Sequence, residues 1–309
     1  TRKAQSVMTQ EVYHIPALLP QTLAALDIKP GGTYVDATFG GGGHSRAILG
    51  QLGPEGRLLA FDQDEDALAG APDDPRFTMV YGNFRFLRNF LRFYDAGKAD
   101  GILADLGVSF HHFDDAGRGF SFRSDARLDM RMNRHAALSA YEVVNDYSEE
   151  RLADILHLYG EVAKARPMAR AIVRARSQAP VATVNGLLEA ISPLIDLRRE
   201  KKDLACVFQA LRIEVNGELD ALRSFLEQTA EALRPGGRLA IITYHSLEDR
   251  LVKNFMRAGN FTGRVETDIY GHADTPYKLL TSKPVVPDEA EIEANPRSRS
   301  AKLRVATRL

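Results

Sequence analysis

Four consecutive glycines stand between an acidic residue and a helical pattern near the start of this chain. A short apolar strand pattern ends at Asp36, the glycines occupy residues 40–43, and a helical pattern covers residues 45–52. Glycine allows sharp turns and lets a ligand approach the main chain closely. A strand that leads through such a turn to a helix amino terminus is typical of a nucleotide-cofactor site. The contacts expected in this turn are Asp36, Gly40, Gly42 and Gly43.

A second carboxylate follows at the spacing that such a site requires. Asp62 ends an apolar run at residues 57–62, about twenty residues beyond the glycines. In Rossmann-type folds, an acid at this position accepts hydrogen bonds from the ribose hydroxyls of the cofactor. Asp62 could also cap a following helix, because residues 65–68 continue in a helical pattern. The two roles can coexist.

A third acid, Asp105, ends the strand pattern at residues 101–105. The carboxyl ends of parallel strands line the ligand cleft of open α/β sheets, so Asp105 is expected beside Asp36 and Asp62. Buried like charges repel one another. Three acids at neighbouring strand ends therefore favour a cationic ligand.

The glycine spacing also disfavours a dinucleotide. Counted from Gly40 and Gly42, the last glycine of a G-x-G-x-x-G fingerprint would fall on Ser45. The pyrophosphate of NAD would be repelled by Asp36 at close range. S-adenosylmethionine carries a sulfonium and an ammonium group and no phosphate, and it is the predicted cofactor.

Two further turns fall on the same predicted edge of the sheet. Phe84 follows the third strand pattern and could hold an adenine ring, although a core phenylalanine at a helix start fits equally well. After the strand pattern at residues 238–243, Ser246 could cap a helix, with Asp249 completing an approximate capping box. That interpretation leaves Tyr244 and His245 facing the cleft.

An α/β sheet is needed to bring these residues together. Strand patterns alternate with helical ones in the first hundred or so residues and again near the end, which predicts a parallel sheet with helices on both faces. Strands are predicted at residues 33–38, 57–62, 77–81, 101–105 and 238–243, with a closing edge strand at 302–307. Helices are predicted at residues 45–52, 64–71, 84–94, 204–233 and 247–256, and an irregular loop at 284–300. We predict one α/β domain, residues 1–112 and 205–309, split by a mostly helical insertion, residues 113–204.

The composition of the 309 residues fits a soluble enzyme. Apolar residues make up 44% of the chain, which is enough for a substantial core. No uninterrupted apolar run is long enough for a membrane helix, and the amino-terminal residues do not resemble a signal peptide. The single cysteine, Cys206, lies in an apolar stretch, is interpreted as a core residue and fits a reducing cytoplasm. No paired cysteines or H-E-x-x-H spacing indicate a metal site.

Positive charge is concentrated in three places although the formal net charge is only −1. Most charge runs are solvated faces, but three of them in a nearly neutral protein favour a phosphate-bearing partner. One cluster lies at residues 164–176 and another at 198–202. The third is the basic tail, Arg297, Arg299, Lys302, Arg304 and Arg308.

Taken together, the motifs resemble the bacterial 16S ribosomal RNA (cytosine-N4)-methyltransferase family (RsmH, formerly MraW). The matching runs lie at residues 14–16, 36–45, 105–109, 119–122, 128–132, 244–250 and 295–304, so the resemblance covers nearly the whole chain. It implies a class I (Rossmann-like) methyltransferase fold with an inserted helical domain. It also implies S-adenosylmethionine as the donor and 16S rRNA, in the decoding region of the small ribosomal subunit, as the substrate. No membrane partner is expected, and the sequence leaves the oligomeric state open.

The resemblance assigns cofactor contacts to particular residues. They are Gly42, Gly43, His44, Asp62, Phe84, Asp105 and His112. His112 stands where the family has glutamine, although an imidazole can still exchange a hydrogen bond. Phe110 replaces a serine that is usual at its position, which could alter how the target base is stacked.

The implied reaction sets requirements for the catalytic residues. Cytosine N4 is a poor nucleophile because its lone pair is delocalised into the ring, so the enzyme must align N4, methyl carbon and sulfur and exclude water. Asp105 and Ser109 are the candidate acceptors for an N4 hydrogen, and His245 is an alternative acceptor or proton shuttle. The target base must be flipped or single-stranded, and the insertion and basic tail are expected to contact the RNA. A non-catalytic RNA-binding or assembly factor on the same fold is the alternative, and a nicotinamide dehydrogenase is a weaker third.

Overall fold

Seven strands form one sheet in the part of the chain that the computed structural model describes, which is residues 16–107, 116–268, 270–271 and 273–309. The strands are β1 (Thr33–Asp36), β2 (Arg57–Asp62), β3 (Phe77–Tyr81), β4 (Ala99–Asp105), β5 (Leu233–Thr243), β6 (Tyr277–Leu279) and β7 (Lys302–Arg308). Their spatial order is β3-β2-β1-β4-β5-β7-β6. The first five are mutually parallel, and β7 runs antiparallel to both of its neighbours.

Helices flank this sheet and build a separate layer beyond it. The α-helices of the described residues are α1 (Leu19–Leu26), α2 (Gly43–Leu49), α3 (Leu87–Phe93), α4 (Ala140–Asp146), α5 (Glu149–Leu158), α6 (Ala165–Arg176), α7 (Val184–Ile191), α8 (Glu200–Asn216), α9 (Glu218–Ala232), α10 (Ser246–Ala258) and α11 (Glu289–Ala294). Short 3-10 helices lie at Glu65–Gly70, Phe84–Phe86, Ala116–Arg118, Ser192–Leu194 and Pro296–Ser300. Among the described residues, no helix combines the length and apolarity needed to cross a membrane.

The sheet is covered on both faces, which is why its strands are almost continuously apolar. Leu58 and Leu59 are adjacent in β2 and fully buried, yet they belong to apolar clusters on opposite faces. Phe225 of α9 packs into one cluster and Ile48 of α2 into the other. The predicted α/β class is therefore confirmed.

A third apolar cluster lies wholly within the inserted part of the chain. It joins Phe120 and Leu128 to buried residues of α4 through α7 and to Val207 and Leu211 of α8. α8 ends at Gly217, a left-handed residue with φ of 57° from which α9 starts toward the sheet. Because α8 contributes to the core of the insertion, we propose that the insertion extends to Gly217, beyond the predicted boundary at residue 204.

Several predicted elements differ from the observed ones for local reasons. The helix predicted at 204–233 is two helices, because Gly217 adopts a left-handed backbone conformation that ends the first of them. The predicted helix at 64–71 is a 3-10 helix, and the predicted loop at 284–300 holds α11, which Asp288 caps. The strand predicted to close the sheet lies one place inside its edge, because β6, a three-residue strand with a single buried side chain, pairs outside it.

Candidate cofactor and active site

Asp36, Asp62 and Asp105 end three adjacent strands at one edge of the sheet. Beyond the end of β1 the chain stays bonded to both neighbours: the Ala37 amide donates to the carbonyl of Leu103 (2.8 Å), and that of Phe39 to the carbonyl of Phe61 (2.7 Å). The three carboxyls lie close enough for Asp105 and Asp62 to raise the pKa of Asp36. The predicted juxtaposition of the three acids is confirmed.

Asp36 is enclosed by its own turn. Its side chain accepts hydrogen bonds from the Ser45 hydroxyl (2.7 Å) and the Thr38 amide (3.1 Å), and the residue is 1% exposed. Burial raises its pKa to about 7, the bonds from Ser45 and Thr38 oppose that shift, and the charges of Asp105 and Asp62 add to it. A cationic ligand nearby would favour the ionised form.

The glycine turn depends on backbone angles that other residues rarely adopt. Gly40 and Gly42 have φ of 53° and 75°, in the left-handed region that glycine tolerates without strain. The Arg46 guanidinium donates to the carbonyls of Gly41 (2.6 Å) and Gly70 (2.8 Å), which ties the turn to the loop after β2. Turn and loop therefore form one wall.

Asp62 is held in position by two backbone amides. One carboxylate oxygen accepts from Gly40 (2.8 Å), and the other accepts from Asp64 (2.8 Å). A carboxylate oxygen can accept more than one hydrogen bond, so these contacts orient the group without excluding ribose hydroxyls. The helix-cap interpretation of Asp62 is wrong, because Asp64 caps the 3-10 helix by accepting from Asp66 (3.1 Å).

His44 and Tyr244 flank Asp105. His44 follows Gly43, the first residue of α2, and its Nδ1 lies 3.7 Å from a carboxylate oxygen of Asp105. Burial lowers the pKa of His44 and raises that of Asp105. Burial also raises the pKa of Tyr244, and the charge of Asp105 and its hydrogen bond to Tyr244 raise it further. The buried Nε2 of His44 has no well-aligned hydrogen-bond partner among the described residues, although the backbone of Ala17 is near enough to oppose the lowering of the His44 pKa. A buried polar atom without an aligned partner is a natural contact for a ligand.

Phe84 lies beside the Asp62 loop. It begins a 3-10 helix that the Asn83 side chain caps, and Asn83 also donates to the side chain of Gln63 (2.9 Å). The half-buried Phe84 ring packs edge-on against Phe225, with centroids 5.1 Å apart. This position suits both a core residue and an adenine contact, so the cofactor role of Phe84 stays a prediction.

His245, and not Ser246, caps helix α10. Its Nδ1 accepts from the Glu248 amide (3.5 Å), and the Glu248 carboxylate bonds back to the amides of Tyr244 (2.8 Å) and His245 (3.4 Å). Nε2 of His245 lies 2.8 Å from the other Glu248 oxygen, an ion-pair distance without hydrogen-bond alignment. The capping role predicted for Ser246 is wrong, since its hydroxyl donates to Glu161 (3.1 Å). Both nitrogens of His245 face Glu248, and its catalytic role stays a prediction.

One cluster of potential metal ligands lies beneath this turn. Among the described residues, ligand atoms of Glu218, His245 and Glu248 lie within 4.8 Å of one another. The Arg212 guanidinium, however, bonds both carboxylate oxygens of Glu218 (2.8 and 3.0 Å). Because the Arg212 guanidinium already occupies both carboxylate oxygens of Glu218, we assign no metal to the cluster.

Some predicted residues lie outside the described part of the chain. They are Ser109, Phe110 and His112 of the segment after β4, and His14 and Ile15 near the start. Sequence reasoning missed the supporting hydroxyls of Thr38, which accepts from the Asp105 amide (2.7 Å), and Ser45. Their positions in the sequence could have indicated this role, because Thr38 and Ser45 both lie within the segment that holds Asp36 and the glycines.

Two arginines of the basic tail form hydrogen bonds within the fold. Arg304 pairs with Asp249 through two bonds (2.7 and 3.0 Å), and Arg308 donates to the carbonyls of Ala230 (2.8 Å) and Pro276 (3.1 Å). The RNA contact expected of the basic tail stays a prediction, and Arg304 and Arg308 are already engaged within the fold.

An acid-lined glycine turn at the carboxyl edge of a parallel sheet defines the class as nucleotide-cofactor-binding α/β enzymes. The family model described as the MraW methylase family matches residues 11–309, and the chain belongs to that family. The predicted family and class I methyltransferase fold are thereby confirmed, and the chain is a methylase that uses S-adenosylmethionine.

Relatives extend over nearly the full chain. It is 60% identical over 294 residues to "Ribosomal RNA small subunit methyltransferase H" of Bacteroides thetaiotaomicron, covering 95% of this chain and 97% of the relative. The protein of the same name from Christiangramia forsetii is 52% identical, with 96% and 98% covered. Among solved structures, an rRNA methylase from Streptococcus thermophilus aligns with a TM-score of 0.41 and 12% identity, covering 94% of this chain and 93% of that one.

Proposed function

We propose that this chain transfers a methyl group from S-adenosylmethionine to the exocyclic N4 of a cytosine in small-subunit ribosomal RNA. The family match and the names of the relatives support the reaction class and the RNA. The observation that carries the proposal is the convergence of Asp36, Asp62 and Asp105 around a glycine turn. We propose further that the RNA is methylated within the small subunit. We also propose a cytoplasmic location, which the single Cys206 led us to expect.

The side chains present fit the donor. We assign the ribose hydroxyls to Asp62, whose carboxylate is oriented by two backbone amides, and the adenine to Phe84, which packs on Phe225. Burial raises the pKa of the Asp36 and Asp105 carboxyls, and a cationic sulfonium and ammonium group beside them would favour their ionised, negatively charged forms. His44 offers a buried nitrogen that has no well-aligned partner among the described residues.

When bound, the donor supplies an electrophilic methyl group, so the protein mainly aligns the reactants and controls one proton. Asp105 is the proposed acceptor for an N4 hydrogen of the base. Tyr244 bonds to Asp105 and has a raised pKa, so it stays protonated and stabilises the carboxylate. Ser109 and His245 are the further candidates for orienting the amine.

The target base must leave its stack to reach Asp105. Helix α6 of the insertion carries Arg166, Arg170 and Arg174 at four-residue spacing, all exposed. Residues at that spacing share one helix face. We place phosphate contacts on this face, because Arg170 makes only an exposed pair with Glu149 (3.4 Å), whereas Arg304 and Arg308 of the tail are engaged within the fold.

The test is mass-spectrometric mapping of small-subunit rRNA from cells with and without this gene. One methylated cytosine should lose its N4 methyl group without the gene, regain it with the wild-type gene and stay unmodified with Asp105→Asn. A non-catalytic assembly factor would leave every cytosine methyl group in place when the gene is removed. Binding of the donor without any loss of methylation would sink the proposed reaction.

A further inference from the structure

Arg118 is a buried cation that reaches from the insertion to the loop behind the cofactor acid. Its side chain is 7% exposed, and Nη1 donates to the carboxylate of Asp64 at 2.5 Å. Nη2 donates to the carbonyls of Arg131 (2.6 Å) and Met132 (3.0 Å). Arg118 therefore ties two segments of the insertion to the methyltransferase sheet.

Its partner, Asp64, lies directly in the chain segment that orients Asp62. The amide of Asp64 donates to one carboxylate oxygen of Asp62 (2.8 Å), and the Asp64 side chain caps the following 3-10 helix. Asp64 itself is 2% exposed. Placement of the Asp64 amide, and hence of the Asp62 carboxylate, depends on a buried charge that Arg118 neutralises.

Neighbouring contacts reinforce the same junction. Arg134 of the insertion donates to Asp66 (2.6 Å), which Nη1 of Arg118 also reaches at 3.4 Å, and the Gln63 side chain donates to the sulfur of Met132 (3.4 Å). The Arg134–Asp66 pair is half exposed on the arginine side (48%), unlike the buried pair of Arg118. Breaking a buried pair leaves an uncompensated charge, whereas an exposed pair contributes little.

We propose that Arg118 is a positioning residue for cofactor binding: through Asp64 it sets the orientation of Asp62 toward the ribose. Donor affinity then depends on the insertion being docked, so the RNA-contacting part and the cofactor pocket are energetically linked. This inference rests on the ribose role of Asp62 in the proposed function.

The experiment uses the full chain and two ligands, S-adenosylhomocysteine and its 2′,3′-dideoxy counterpart, measured by calorimetry. In Arg118→Met, affinity for the natural ligand should fall about tenfold, equivalent to roughly 1.4 kcal/mol. Affinity for the dideoxy ligand should change less than about twofold, because it lacks the hydroxyls that Asp62 binds. Arg118→Lys should recover part of the loss, and Arg134→Met is the matched control, expected to bind both ligands like wild type.

A kinetic readout separates positioning from general damage. The donor KM of Arg118→Met should rise while kcat at saturating donor stays within about threefold, as expected for a loss of binding that is uniform along the reaction. If Arg118→Met does not fold, the double variant Asp64→Asn/Arg118→Met removes the buried negative charge of Asp64 as well, and the ligand comparison is made on it.

Equal losses for both ligands, or unchanged affinity for both, would overturn the inference. Asp62→Ala separates this failure from failure of the site assignment. If Asp62→Ala discriminates poorly between the two ligands but the Arg118 variants discriminate like wild type, only the Arg118 proposal fails. If Asp62→Ala behaves like wild type, the ribose role of Asp62 fails first.

Discussion

The hydroxyls of Thr38 and Ser45 show how single residues make a crowded acidic site tolerable. Ser45 donates to Asp36, and Thr38 accepts from the amide of Asp105. Each fixes the position of an acid without adding charge. Burial nevertheless leaves the pKa of Asp36 near 7, because desolvation outweighs the two hydrogen bonds that Asp36 accepts.

The raised pKa of Asp36 predicts proton release on cofactor binding. A cation placed beside the carboxyl lowers its pKa, so near pH 6.5 binding should expel a fraction of a proton. Affinity should then rise with pH up to about 7, by at most about tenfold per unit for one group. Calorimetry in two buffers of different ionisation enthalpy measures the protons released. Identical heats in the two buffers would contradict the prediction.

The same shift has a defined sign for the stability of the cofactor-free protein. Between pH 3.8 and about 7 the folded state holds a proton that the unfolded chain has released. The contribution of Asp36 to the free energy of unfolding is therefore fully present below pH 3.8, and it is lost as the pH rises through about 7. Asp36→Asn is the control, since it cannot ionise and should flatten both dependences. Asp105, whose pKa is also raised, adds in the same direction.

Among the secondary-structure elements, the strands formed by short apolar runs were the ones that the sequence predicted most reliably. β2 and β3 match their predicted bounds, because both are short apolar runs between turns. β6 could not be found, because of its three residues only Tyr277 is buried, and its pairing with β7 is set by distant contacts. The acids were found because each ends an apolar run, whereas the role of Arg118 depends on an approach of chain segments that no local pattern records.

Helix α6 is predicted to be the main phosphate-binding element of the described insertion. Its buried side holds Met168, Ala169 and Ile172, which leaves Arg166, Arg170 and Arg174 on the exposed side. Replacing the three arginines by alanine should make the slope of log affinity against log salt shallower by about 2, at roughly 0.7 per single-strand contact. The measurement is RNA binding over a range of salt concentrations.

Two controls accompany the α6 variant. Cofactor affinity should not change, because the three arginines lie on the outer face of the insertion. An Arg297→Ala/Arg299→Ala variant tests the exposed residues of the tail in the same assay. A wild-type slope for the α6 variant together with a reduced slope for the tail variant would reassign the RNA contact to the tail.

In the described residues, polar contacts join the insertion to the sheet. Two apolar clusters cover the faces of the sheet, and a third lies in the insertion. Arg118 joins the insertion to the ribose side of the cofactor loop, and the bond from Ser246 to Glu161 joins it to the turn after β5. Both contacts lie where strands of the sheet end, so they connect the insertion to two sides of the proposed cleft.

Hydrogen exchange should show this connection directly. When S-adenosylhomocysteine binds, exchange should slow in the glycine turn, in residues 62–70 and also in residues 116–132, because ordering Asp62 orders Asp64 and its partner Arg118. Helix α6, whose hydrogen bonds in the described part of the chain do not reach residues 62–70 or 116–132, should exchange at an unchanged rate. In Arg118→Met the protection should stop at the 3-10 helix Glu65–Gly70. Protection of 116–132 that persists in this variant would mean that other contacts, such as Arg134 with Asp66, carry the connection.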